Sequence, residues 1–149
     1  MSLSIVPAED DEVTISTSNG DIYHIKRVLA EQMETIRNKM AASGNPYIIP
    51  LVDTDSSTFV LVLKWCTLMH NLRYTSMTVD ISRGIFNGFM HVFGINRSML
   101  MKLIMASYKL QISSLSNATT RRVADEIRAC QTAEEARIHF GVYDAPQDG

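Results

Sequence analysis

A chain of 149 residues with 46% apolar composition suits one compact domain, with or without a helical extension, and can enclose a sizeable core. A formal net charge of -2 and a pI near 6.0 give no overall field that would draw in nucleic acid or an anionic membrane, so neither is an expected partner. Nowhere does the sequence offer the roughly 18 to 20 consecutive apolar residues of a spanning helix.

The opening "MSLSIVPAEDDEV" has neither a basic start nor an apolar run, so residues 1–12 read as an acidic, disordered leader rather than a signal peptide. A reducing compartment, cytoplasm and nucleus, is the expected location. Cys66 and Cys130 are then expected to be buried thiols rather than a disulfide. Asn96-Arg97-Ser98 and Asn117-Ala118-Thr119 fit a glycosylation sequon but read better as helix caps.

In chain order, "VTISTSNGDIYHI" gives two alternating runs joined by Asn19-Gly20, which predicts a β-hairpin with a tight type I′ turn. Val13 and Ile15 point to one face, and Ile22 and Ile25 supply the apolar side of the partner strand. In "VLAEQMETIRNKMAAS", Leu29, Met33, Ile36 and Met40 have helical spacing, and Gly44 is placed to close the helix. "NPYIIPLV" is a short strand, and Pro50, which cannot donate to a ladder, puts it at an edge or a strand end.

Asp53, Asp55 and the serines after them are N-cap material for "TFVLVLKWCTLMHN", with Phe59, Val62, Leu63 and Cys66 on its apolar face. The stretch from Leu72 to Gly84 has no sustained period and reads as a loop. "FNGFMHVFGI" reads as a short helix, followed by one over Met99 to Lys109 capped by Asn96. Ser113 or Ser114 is placed to cap "LSNATTRRVADEIRAC". In "TAEEARIHFG", Thr132 and Glu135 have the spacing of a capping box, and Gly141 that of a left-handed C-cap.

Chemistry-bearing patterns are weak. Cys66 and His70 stand four apart on one predicted helix, but no third group orients them and they supply only two of four ligands for zinc; His24, His91 and His139 are scattered. The glycines are dispersed, so there is no phosphate loop. Arg121, Arg122, Arg128 and Arg137 could belong to a DNA-reading helix pair, yet Asp125, Glu126, Glu134 and Glu135 interleave with them. No catalytic residue, cofactor or metal is expected. The cluster of Met99, Met101 and Met105 beside Phe89, Phe93 and Leu100 reads mostly as core, but the helix around it, continued by "KLIMASYKLQISSL", is apolar nearly all round, and in so small a chain it leaves some surface for a partner.

The order of these strings resembles the Skp1 family, the BTB-fold adaptors of cullin-RING ubiquitin ligases. The resemblance covers about residues 13 to 142. "ISTSNGDIYHI" is similar to the family's opening hairpin, "LAEQMETIRNKM" to the helix after it, and "IPLVDTDSSTFVLVLKWCTLMHN" to the strand, acidic turn and helix ending in Trp-Cys-Thr, here Trp65-Cys66-Thr67. "LMKLIMASYKLQISSLSNATTRRVADEI" and "TAEEARIHF" resemble the helices that close the core and open the F-box-binding extension. Elongin C shares the first part but lacks the helices that follow Ile112.

The resemblance implies an α+β BTB/POZ fold over 13–112, a small sheet flanked by helices, then a helical F-box-binding extension over 113–142, truncated relative to the family, and a tail over 143–149. It implies a non-catalytic adaptor with a cullin-1-type scaffold on one side and F-box proteins on the other. The cullin-facing residues would be Met101, Met105, Tyr108 and Lys109, and the F-box-facing residues Leu115, Val123, Ile127, Ile138 and Phe140. Where typical members read Asn-Tyr-Leu-Asp-Ile, this chain reads Tyr108-Lys109-Leu110-Gln111-Ile112, which puts a lysine in the tyrosine position. Losing an aromatic anchor costs an interface about 2 kcal/mol or more.

Two further departures are "RYTSMTVDISRG" in place of the family's acidic loop and Ala133 in place of proline. The departures at the two interfaces, Lys109 and the truncated extension, leave open a diverged structural or regulatory subunit with weakened cullin binding. The isolated chain is expected to self-associate weakly, as a homodimer, through the apolar surface otherwise given to an F-box.

Overall fold

The computed structural model describes residues 12–43, 48–72, 78–130 and 132–139. Strands β1 (Glu12–Ser16) and β2 (Ile22–Lys26) pair antiparallel, with Ser16 opposite Ile22 and Glu12 opposite Lys26. Val13, Ile15 and Ile25 turn inward as their alternation predicts, but Ile22, at the outer end, is 49% exposed. The link is longer than a type I′ turn. Thr17 to Gly20 close a turn through Gly20 N–H to Thr17 O (2.9 Å), and Gly20 alone takes a positive φ, 90°. Asn19 has another task, since its Oδ1 accepts the Ser56 N–H at 2.8 Å and so joins the hairpin to the helix that starts there.

The helix expected after β2 is split into α1 (Arg27–Ala30) and α2 (Glu34–Ser43). Tertiary partners account for the break. Gln32 Nε2 donates to the Cys66 carbonyl at 2.7 Å, and the Glu34 N–H reaches the carbonyl of Gln111 at 3.1 Å. Met33, Ile36 and Met40 are buried as their spacing requires. Gly44 lies outside the described residues.

Strand β3 (Ile49–Pro50) pairs parallel to β1, giving the order β2-β1-β3. Pro50 is thus on an edge strand of two residues, where its missing donor costs nothing. Asp55 accepts the Thr58 N–H at 2.9 Å and starts α3 (Ser56–Asn71), whose Phe59, Val62 and Cys66 are fully buried. Trp65, on the same helix, sits edge-on to Phe86 and Phe89 at centroid distances of 5.6 and 5.3 Å.

Those phenylalanines belong to α4 (Val79–Val92), which begins at Thr78, whose Oγ1 accepts the Ile81 N–H. The expected loop over Leu72 to Gly84 is therefore helical from Val79 onward. Burial of Phe86, Phe89 and Met90 offsets the low helix propensity of Gly84 and Gly88. Asn96 caps α5 (Arg97–Leu110) through the Met99 N–H at 2.9 Å, as expected. Gln111 ends α5 in the left-handed region at φ 57°.

Helix α6 (Ser113–Ala129) follows after Ile112, with no side-chain cap; Ser114 Oγ instead accepts the Trp65 indole N–H at 3.0 Å. Asn117 is an exposed residue inside α6, not a cap. Thr132 Oγ1 accepts the Glu135 N–H at 3.0 Å ahead of α7 (Ala133–His139), the N-cap bond of the expected capping box. Gly141 lies outside the described residues. One cluster of buried apolar side chains runs from the sheet through α2, α3 and α4 to α5 and the start of α6. The result is a small three-stranded sheet with helices packed on it, an α+β architecture.

Candidate protein-docking surface

α5 buries Leu100, Leu103, Ala106, Ser107 and Leu110 against the core. The opposite side presents Met101, Met105 and Tyr108, a spacing of four and then three that stacks them on one helix face. They are 41%, 58% and 59% exposed. This is a continuous apolar row on a helix that the core already holds rigid. The Tyr108 hydroxyl shares a hydrogen bond with Thr120 Oγ1 of α6 at 3.1 Å, which fixes the ring at the edge of the row.

Two lysines border the row. Lys102 Nζ lies 3.3 Å from an Asp55 oxygen, and Lys109 Nζ pairs with Asp53, so α5 is tied twice to the segment between β3 and α3. Between the ties is a cleft of about 230 Å³ lined by Asp53, Asp55, Thr58, Lys102, Met105, Ala106 and Lys109. Hydrogen bonds from Thr58, then Lys102 and Ser57, hold the Asp55 carboxyl at about 2. It stays charged across the physiological range. All four residues expected on the cullin side, Met101, Met105, Tyr108 and Lys109, are thus exposed on the outer side of α5. Sequence reading saw Asp53 and Asp55 as caps alone and missed them as partners of Lys109 and Lys102. The seven-residue spacing of those lysines was the available signal; the acids' position was not in the local pattern.

The residues expected on the F-box side are less united. Leu115 is fully buried in the chain's own core, because its turn of α6 packs under α5, and it presents nothing to a partner. Val123 is half-buried against the same core. Ile127 and Ile138 are 51% and 55% exposed on α6 and α7. Phe140 lies outside the described residues.

Arg121 and Arg122 of α6 turn toward α4. Arg121 donates to Ser82 at 3.2 Å and Arg122 to Asn87 at 2.8 Å, while Asp125 receives Arg83 at 2.6 Å and Arg128 at 2.9 Å. The hydrogen bond from Arg83 is the main reason that the Asp125 carboxyl lies below its usual value. Cys66 and His70 do not meet, since Cys66 is buried and His70 is exposed. Burial pushes the Cys66 thiol up to about 12, so it stays protonated at neutral pH and is no nucleophile. Among the described residues no group of three metal-ligating side chains occurs, and no helix is long and apolar enough to cross a membrane.

The hairpin, parallel edge strand and packed helices, with an exposed apolar row on α5 and no assembled catalytic group among the described residues, define an α+β protein of Skp1-like fold. No family model matches the chain. It is 28% identical over 131 residues to SKP1-like protein 11 of Arabidopsis thaliana, covering 87% of this chain and 83% of that one. To the E3 ubiquitin ligase complex SCF subunit sconC of Talaromyces stipitatus it is 25% identical over 88% of its own length and 84% of the relative's. To suppressor of kinetochore protein 1 of Schizosaccharomyces pombe it is 25% identical, over 88% and 85%. The chain is thus similar to SKP1-like proteins at 25–28% identity over about 87% of its length.

Proposed function

We propose that this protein is a Skp1-type adaptor that joins a cullin scaffold to F-box substrate receptors in an SCF-type ubiquitin ligase, without making or breaking bonds itself. The observation that carries the reading is the exposed row Met101, Met105 and Tyr108 on a rigid helix of a Skp1-like fold. That row would be the cullin side. The F-box side would be the outer surface of the extension over 113–142, with Ile127 and Ile138 as its exposed apolar groups and Val123 at its margin. Such an adaptor would work in cytoplasm and nucleus.

Lys109 favours a second reading, a structural or regulatory subunit with weakened cullin binding. Its ammonium is engaged by Asp53, so the place given to an aromatic anchor in the family carries a neutralised ion pair. Paired titrations decide between the two readings. The purified chain is titrated against a cullin N-terminal domain and against an F-box domain, and the Lys109→Tyr variant is tested alongside. Binding to both establishes the adaptor. F-box binding alone, with cullin binding recovered by at least about tenfold in Lys109→Tyr, supports the second reading. Binding to neither overturns both.

A further inference from the structure

α4 carries an outer face that stands apart from the α5 row. At about 100° per residue, Asp80, Ile81, Gly84, Gly88, His91 and Val92 fall within about 120° of one another around the helix. All six are exposed. Ile81 and Val92 are 55% and 71% exposed, which is a poor position for two branched aliphatic side chains in water. The face has two edges. Ile81 and Val92 lie on one side of the line through the glycines, and Asp80 and His91 lie on the other. No described atom comes within 4 Å of where a Cβ would sit on Gly84 or Gly88, so the middle of the face is open and flat.

We propose that a second copy of the chain covers this face by an antiparallel α4–α4 contact, with a two-fold axis passing at the level of Phe86. Such an axis reverses the helix direction but leaves each edge on its own side. Ile81 then meets Val92 of the partner subunit, and Asp80 meets His91 of the partner subunit. In each pair the two residues lie equally far from Phe86, to within one position, on opposite sides of it, and so do Gly84 and Gly88. An imidazole keeps an N–H for a carboxylate whether or not it is charged. The Asp80 carboxylate is available: it touches Arg83 at 3.1 Å, yet its side chain is 94% exposed.

Parallel packing about a two-fold axis would swap the edges and set Asp80 and His91 against Ile81 and Val92 of the partner subunit, so the pattern of apolar and polar edges selects the antiparallel arrangement. A second copy is the occupant that the sequence of α4 itself specifies, since one segment supplies both halves of the apolar and polar pairs. The glycines then let the helix backbones approach closely. The contact uses none of Met101, Met105, Tyr108, Ile127 and Ile138. The inference thus does not depend on the adaptor reading.

Sedimentation equilibrium of the full chain over a range of concentrations tests it, with circular dichroism confirming that each variant is folded. The expected result is a monomer–dimer equilibrium that Val92→Asp weakens by at least about tenfold. Asp80→Arg and His91→Asp each weaken it by about three- to tenfold. The double variant recovers the dimer, because the introduced arginine faces the introduced aspartate across the axis. Met105→Asp, on α5, leaves the dimer unchanged. A monomer at every concentration, a dimer indifferent to Val92→Asp, or a double variant no tighter than the weaker single one overturns the proposal.

Discussion

The Asp55 carboxylate accepts the Thr58 N–H at 2.9 Å and holds Lys102 at 3.3 Å, so one side chain both starts α3 and ties α5 to it. Its pKa falls on folding from 3.8 to about 2. The stability it contributes is therefore complete above about pH 4 and is lost as pH falls toward 2, because the unfolded chain takes up the proton first. The carboxylate is 31% exposed, and solvent screening cuts the contribution to about 1 kcal/mol. Asp55→Ala is expected to cost about that much at neutral pH and to flatten the acid limb of the stability curve between pH 4 and 2. Denaturant melts at stepped pH check both effects; an unaltered acid limb would assign the sensitivity to other carboxylates.

Gln111 shows the opposite relation of residue to structure. A non-glycine residue at φ 57° costs about 1 kcal/mol or more. It is held there by Thr35, whose hydroxyl reaches both the Lys109 carbonyl at 2.8 Å and the Gln111 side chain at 3.0 Å. Nothing near position 111 in the sequence announces a partner 76 residues away.

Among the elements, the helices with buried faces at regular spacing were legible and their junctions were not. α3 and α5 have the apolar periodicity and caps, Asp55 and Asn96, that local chemistry predicts. α4 was read as loop and short helix because two glycines and scattered polar residues mask its period. Packing of Phe86 and Phe89 on Trp65 restores it. α6 in turn is fastened to α4 by Arg83 on Asp125, Arg121 on Ser82 and Arg122 on Asn87. Arg83→Leu is expected to speed amide exchange in the second half of α6 several-fold while leaving α3 unchanged. Equal acceleration in both helices would mean that Arg83 supports the whole fold rather than this contact.

For the molecule as a whole, Leu115 and Ile127 separate stability from docking. Leu115 is fully buried and Ile127 is 51% exposed on the same helix. Leu115→Ala is expected to cost about 2 to 5 kcal/mol in denaturant melts. Ile127→Ala should move stability by under about 0.5 kcal/mol yet weaken F-box binding in titration. An F-box affinity indifferent to Ile127→Ala would move the inferred contact off the outer face of α6.

The family resemblance turned Met101, Met105, Tyr108 and Lys109 toward a partner, and by itself the sequence determined the strands, the helices α3 and α5 and the caps at Asp55 and Asn96. These rest on short-range rules: a side chain's periodicity sets its direction, and a cap bonds within three residues. Tertiary structure alone decided that Lys109 and Lys102 answer Asp53 and Asp55, that Leu115 belongs to the core, and that the helix after β2 breaks at residues 31–33. Each of those depends on a group brought in from more than 40 positions away or on a neighbouring helix. Local pattern carries no record of which distant group arrives, because burial and ion pairing are settled only when the elements pack.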